Sequence, residues 1–451
     1  MDGGRGLVRS TLLAALAWVA LSGAARAEPA APPEPLTLTL EAAVELAMKE
    51  NIDVALAELD LRAFQSRYRE VIGAAISDLS LTGAYTRNFE KRIAFFSDGK
   101  TEIGERNSMV GGVEMEQPLY SGGKLRAGLK AAKLGTAAGE DALRSRRADV
   151  KLVVRSFFYT VLLASATASI SEDTLRSAEA HLYTIRERYK QGLDSDLTVL
   201  RQEVEAANAK PALIQSRNLF ELGLTSLKDV LGLDVDRPII IDGRLDPPDF
   251  AAPSYESLVN SALAHNPDYQ AARNRAEAAL QLARATAGDQ RPQLSLFGAY
   301  LWTAESPDFS PGSSQRGIIA AGGLRLRYPF FTGGEVLERV RQARIDHERA
   351  LEVQRKTERT VRVEVKKQWL AAKEAEERAR SQEGAIGQAR RALDATEVRY
   401  KSGDASQLEL NDATLALGRA RTLYAQASHD FLVALAALER AAGTRLEEIN
   451  R

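Results

Sequence analysis

The sequence predicts a mainly α protein with a small β part, built as a duplicated unit of long helical hairpins and short amphipathic strands. Three observations predict it. The segment Arg188-Tyr189-Lys190-Gln191-Gly192 recurs as Arg399-Tyr400-Lys401-Ser402-Gly403, 211 residues later. Self-similarity at a fixed period is the signature of a repeated architecture. Four short segments alternate apolar and polar residues, the period of a strand with one wet face. Residues 124–190 and 335–401 carry no proline and are rich in Ala, Leu, Glu, Arg and Gln, the composition of long helices.

The elements follow in order. Arg5 and Arg9 precede an apolar run from Leu12 to Leu21, and Ala25-Arg26-Ala27 closes it. This is the pattern of an export signal over 1–27. No later run is apolar for 18 residues, so no membrane-spanning helix is expected. The first repeat is assigned to 28–233 and the second to 254–443. A proline-rich connector (234–253) separates them and a tail (444–451) follows. Residues 41–75 read as a helix, matched by 254–289, with Asn51-Ile52-Asp53 answering Asn266-Pro267-Asp268.

Next come the strands, at about 77–87 and 108–119, then 293–303 and 316–330. Leu79, Leu81 and Tyr85 alternate with Ser80, Thr82 and Thr86. Val113 and Met115 alternate with Glu114 and Glu116, and Leu324 and Leu326 with Arg325 and Arg327. Each second strand ends in a proline followed by a glycine pair: Pro118 with Gly122 and Gly123, Pro329 with Gly333 and Gly334. Proline is expected to end the ladder, and the glycines to allow a sharp change of direction. The long helices then run to Gly192 and Gly403, placed as C-terminal cap glycines. Return helices over 196–232 and 406–441 complete two hairpins, about 122–232 and 333–441. Pro211 is expected to kink the first return helix.

Composition excludes several chemistries. There is no Cys, so neither thiol catalysis nor a lipid-bearing N-terminal cysteine is available. Sixty Lys+Arg against 61 Asp+Glu leaves no basic excess for nucleic acid. His181, His265, His347 and His429 are scattered, without metal-ligand spacing. No phosphate-binding loop or nucleophile elbow occurs. No catalytic residue, cofactor or metal site is expected.

Four strands are too few to close a membrane barrel, and an open sheet leaves two unpaired edges. Several chains contributing four strands each would remove both problems. The long polar connections 88–106 and 304–316 suit the outer side of such a barrel. Tyr85, Tyr120, Tyr300, Trp302 and Tyr328 read as interfacial aromatics, against an alternative as core aromatics.

The duplicated unit, the Asn-Pro-Asp, the two proline/glycine-pair exits and the two Arg-Tyr-Lys-x-Gly turns resemble the TolC-like outer membrane efflux proteins over essentially the whole chain beyond the leader. The resemblance implies a homotrimer held in outer-membrane lipid, and with no Cys for lipidation the barrel alone is expected to hold it there. It implies a twelve-stranded barrel on a periplasmic helical tunnel. It also implies docking at the hairpin turns (Arg188, Gly192, Arg399, Gly403) to a periplasmic adaptor and an inner-membrane pump. Such an assembly exports small molecules, metal ions or polypeptides.

The family closes its periplasmic end with acids just after the second hairpin glycine. Here Glu409 and Asp412 stand six and nine residues past Gly403. Tyr400 matches a closing tyrosine, whereas Ala405 and Thr198 replace a basic and an acidic partner. On residues alone, Glu409 and Asp412 read first as a solvated helix face carrying two acids at i and i+3; the repeat and the resemblance favour the ring. Glu114, Glu116, Arg325 and Arg327 either face a lumen or lie at a wet rim. The alternative reading is an exported coiled-coil structural or adhesion protein without a pore.

Overall fold

The computed structural model describes residues 35–96, 99–248, 253–309 and 315–449. The expected export signal, together with Asp98, Pro311 and Gly312 of the polar connections, lies outside the described residues.

A short β1 (Leu36–Leu38) leads into α1 (Leu40–Glu50) and α2 (Ile52–Gly73). β2 (Asp78–Arg87) follows, then a small hairpin of β3 (Arg92–Phe96) and β4 (Gly99–Ile103), then β5 (Asn107–Ser121). The first hairpin is α3 (Lys124–Lys190) and α4 (Asp196–Leu231). β6 (Ile239–Ile241) lies in the connector, and the second half follows with α5 (Tyr255–His265), α6 (Pro267–Ala287) and a 3₁₀ turn at Gly288–Gln290. β7 (Gln293–Ser306) and β8 (Gln315–Arg327) precede the second hairpin of α7 (Glu335–Ser402) and α8 (Gln407–Ala442). A final turn, α9, spans Leu446–Ile449.

Several elements depart from the sequence reading. The segment read as one helix over 41–75 is two, broken at Asn51, whose extended backbone ends α1. Its side-chain oxygen accepts from the N–H groups of Asp53 (2.9 Å) and Val54 (3.4 Å), capping α2. Its amide donates to the Val230 carbonyl at the end of α4, 2.9 Å away. Asn266 repeats all of this, and donates to the Ala441 carbonyl at 3.1 Å. Each asparagine thus satisfies orphan groups at two helix ends.

The connector between the halves is not wholly irregular, because β6 pairs in parallel with β1. The 88–106 connection contains the β3–β4 hairpin. Pro118 does not end its strand. β2 stops pairing at Glu116, so the missing N–H of Pro118 costs nothing on that side, and β5 continues along β7 through a bulge. β8 stops at Arg327, short of Tyr328 and Pro329. Pro211 lies inside α4, within one continuous helical span, as the sequence placed it.

Helix α3 contains a stretch long and apolar enough, by length and composition, to cross a membrane, contrary to the sequence reading. About a fifth of that stretch is buried, and the buried α3 residues Val150, Val154, Phe158 and Val161 cluster with Ala43 and Ala47 of α1 and Leu227 and Leu231 of α4. A second core repeats this one position for position, with Val361, Val365, Leu438, Ala442, Leu258 and Ala262. The duplication is therefore one of packing as well as sequence. The first core is built mainly of Leu and Val, whereas the second is rich in Ala, which lets its helices approach closely.

Candidate functional site

Two regions carry the chemistry, the four-stranded sheet and the tips of the hairpins. The sheet order is β2-β5-β7-β8, every pair antiparallel. Directly opposed residues in such a ladder point to the same face. One face then carries Leu79, Leu81, Tyr85, Val113, Met115, Leu296, Tyr300, Trp302, Leu324 and Leu326. It is bare: Leu81 is 84% exposed and Leu324 65%. The other face carries Asp78, Glu114, Glu116, Gln293, Ser295, Arg325 and Arg327.

All four charged strand residues singled out in the sequence thus share one face. Arg325 Nη1 lies 3.7 Å from Glu116 Oε2, spanning β7, and its guanidinium covers the Phe297 ring at 4.7 Å. Both partners are more than half exposed, so the pair contributes little to stability.

Among the described residues, the outer edges of β2 and β8 are unpaired. Along the apolar face, Trp302 and the Leu294–Tyr120 pair are eight residues apart, about 27 Å at ~3.4 Å per residue. At the roughly 40° tilt of barrel strands this rises about 20 Å, most of an apolar band about 25 Å tall.

The junction to the helices is tight in the first half. Gly122 and Gly123 are left-handed, with φ of 65° and 90°. A Cβ on Gly122 would sit 2.3 Å from the Gly288 carbonyl. Gly333 and Gly334 take the same backbone form, φ 61° and 88°.

At the far end, each hairpin turns on one left-handed glycine, Gly192 (φ 77°) and Gly403 (φ 86°). Arg188 Nε donates to Asp194 Oδ2 at 2.8 Å across the first turn. Arg399 donates to the Asp404 carbonyl at 2.9 Å across the second. Tyr400 links the turns, its ring lying 5.9 Å beneath the Arg188 guanidinium. Burial first, and the Asp194 carboxylate second, push the Tyr400 hydroxyl above its ordinary value, while Arg188 pulls it back. Thr198, standing where an acid was expected, closes a local turn with Ser195 at 2.9 Å instead.

Ser406 caps α8 by accepting from the Glu409 N–H at 3.3 Å. The Glu409 carboxylate stands in the first turn of α8, where the helix dipole favours it. Its Oε2 is 3.8 Å from Arg399 Nη2, a loose, solvent-exposed contact. Asp412 is exposed one turn on.

Sequence reading missed a second tie between the hairpins. Gln202, buried on α4, accepts at 3.1 Å from the amides of both Gln407 and Asn411 on α8. It donates to the Ala178 carbonyl of α3 at 3.0 Å. The one available signal was that Gln202 shares the buried α4 face with Val199.

A third cluster also went unread. Arg440 of α8 donates to Asp149 of α3 at 2.5 Å and to Asp268 of α6 at 2.8 Å. Ser145 Oγ donates to the other Asp268 oxygen at 2.5 Å. Burial pushes the Asp268 carboxyl up, but the Ser145 hydroxyl and the Arg440 guanidinium outweigh it and hold the group below its ordinary value.

The chain resembles known proteins over most of its length. Alkaline protease secretion protein AprF of Pseudomonas aeruginosa is 24% identical over 344 residues, 75% of this chain and 70% of the relative. The toluene efflux pump outer membrane protein TtgC of Pseudomonas putida is 25% identical over 387 residues, 83% of this chain and 76% of the relative. The crystal structure of VceC from Vibrio cholerae superposes with a TM-score of 0.73 at 21% identity, over 90% of this chain and 96% of VceC. The outer membrane efflux protein family profile matches residues 43–233 and 258–444. With its duplicated hairpins and bare apolar sheet, the chain belongs to the outer membrane efflux protein family, whose members are channels of the outer membrane that reach into the periplasm.

Proposed function

We propose that three copies close their sheets into one twelve-stranded barrel and their hairpins into one helical tunnel, forming an export duct. One observation carries this reading. The sheet is bare on its apolar face, charged on the other, and unpaired at both edges, and its first and last strands run in opposite directions. Copies joined β8 to β2 therefore continue an all-antiparallel ladder, which alone removes the edges. The apolar face meets lipid, and Glu114, Glu116, Arg325 and Arg327 line the lumen.

Glu409 and Asp412, brought near a threefold axis, form an acidic ring that attracts cations and repels anions at the periplasmic mouth. Tyr400 holds the second hairpin against the first, and opening is an iris-like parting of the tips. The turns at Arg188, Gly192, Arg399 and Gly403 dock a periplasmic adaptor, which joins the duct to an inner-membrane pump. The cargo is small molecules, metal ions or polypeptides. The relatives' names range from toluene efflux to protease secretion, which fits a duct whose selectivity lies in the pump.

Detergent-extracted protein is expected to be a trimer by light scattering and to form conducting pores in planar bilayers. A monomer without conductance overturns the reading and favours a coiled-coil structural protein.

A further inference from the structure

We infer that the cleft between α3 of the first half and α5, α8 and α9 of the second binds a small water-borne oxyanion, a phosphate monoester or a carboxylate, through Lys151, Arg155 and Arg445. The cleft lies apart from the sheet and from the hairpin tips, and the duct uses none of these three residues.

Its volume is about 330 Å³, at the lower end of the range of small-molecule sites. Cationic side chains dominate its lining. Two of them are already neutralised: Arg440 by Asp149 and Asp268, and Arg144 by Asp141. Arg155 gives its Nη1 to Glu439 Oε2 at 2.5 Å, which commits that acid as well. What remains is Lys151 on α3 and Arg445 in the turn before α9. Among the described residues, neither of these side chains has a hydrogen bond or ion pair. The last acid of the lining, Glu448, is exposed.

Two observations inside the cleft point to an anion. First, Arg155 Nε is buried and has no hydrogen-bond partner among the described residues. Buried donors in folded proteins are nearly always paired. With Nη1 held by Glu439, the Nε–Nη2 edge of the guanidinium is left, and such an edge grips two oxygens of one phosphate or carboxylate. Second, like charges crowd Lys151. Burial first, and the Arg155 guanidinium second, push its ammonium below the ordinary value; Glu439 pulls it back and Arg445 pushes it down again. An oxyanion set among Lys151, Arg155 and Arg445 turns that repulsion into attraction and accepts from several donors at once.

The position on the helix decides where the anion comes from. Lys151 follows Lys124, the start of α3, by about 40 Å of helix at ~1.5 Å per residue. The apolar sheet face lies beyond that start, so a lipid head group is out of reach and the ligand arrives from the surrounding water. Lys151 and Arg155 belong to the first half and Arg445 to the second. The bound anion therefore ties the halves together and stabilises the fold in proportion to its occupancy.

The test uses the full-length protein in micelles of an uncharged detergent. Glucose 6-phosphate is titrated at fixed ionic strength, followed by calorimetry and by melting temperature. A saturable isotherm and a rise in melting temperature are expected, and glucose gives neither. Citrate is expected to displace the phosphate ester, and the tighter binder of the two identifies the head group. Lys151→Gln and Arg445→Gln are each expected to weaken binding about tenfold or more, with the helical circular dichroism unchanged. Lys151→Arg, which keeps the charge, is expected to stay within about threefold of the wild type. Lys133→Gln, at an exposed position on the same helix, is expected to bind as the wild type does. A wild type that does not bind glucose 6-phosphate overturns the inference, as does undiminished binding by both Gln variants. Phosphatidylglycerol in the micelle that displaces the ester, by a route that needs Lys151, overturns the water-borne source.

Discussion

At the residue scale, charge and backbone conformation act through few groups. Replacing Glu409 and Asp412 by Gln and Asn is expected to raise single-channel conductance and weaken cation selectivity, because in the proposed duct their carboxylates would set the potential at the mouth. Unchanged conductance and selectivity would leave these acids as a solvated helix face. The Arg440 cluster makes a stability prediction. Arg440→Met strands Asp149 and Asp268 and is expected to cost about 2–3 kcal/mol in denaturant unfolding. Its pH dependence follows from Asp268, whose folded carboxyl lies below its ordinary value. A depressed carboxyl stabilises fully above the unfolded pKa of about 4, and that contribution disappears as pH falls through the lower folded value. The gap in melting temperature between wild type and Asp268→Asn is therefore expected to be widest near neutrality and to close in acid. Gly122→Ala combines left-handed strain with a Cβ against the Gly288 carbonyl, and is expected to cost more than about 2 kcal/mol.

At the element scale, the long helices were legible because nothing in them argues otherwise. They lack proline, begin after a glycine pair and end at Gly192 and Gly403. The strands were legible by alternation, and the register then placed all four charged positions on one face. The break at Asn51 was not legible, because its helix signal continues on both sides. What decides the break is the carbonyl of Val230, 179 residues away, which the Asn51 amide reaches only after α4 has folded back. The same distance hid Gln202 and Arg440, ordinary polar residues until a facing helix supplies their partners. Phe158→Ala tests the packing of α3 on α1 and α4. It is expected to cost about 3–5 kcal/mol by calorimetry or denaturant, since its ring is fully buried in the first core.

At the scale of the whole molecule, one chain leaves too much unsatisfied to stand alone. The apolar sheet face is bare, both sheet edges are open, and the α2 face at Ile52–Leu59 is uncovered. Extraction into detergent below its micelle-forming concentration is therefore expected to give aggregation, whereas the micellar protein stays dispersed; light scattering across that threshold measures it. The sequence by itself determined the duplication, the helical hairpins, the strand alternation and the absence of thiol chemistry, because each is written in local period and composition. Only the tertiary structure decided which residues meet across the halves: the Asn ties, the Arg440 cluster, the Gln202 link and the common face of the strand charges. Those contacts join positions more than a hundred residues apart, and no local pattern encodes a partner that arrives only when the chain closes on itself.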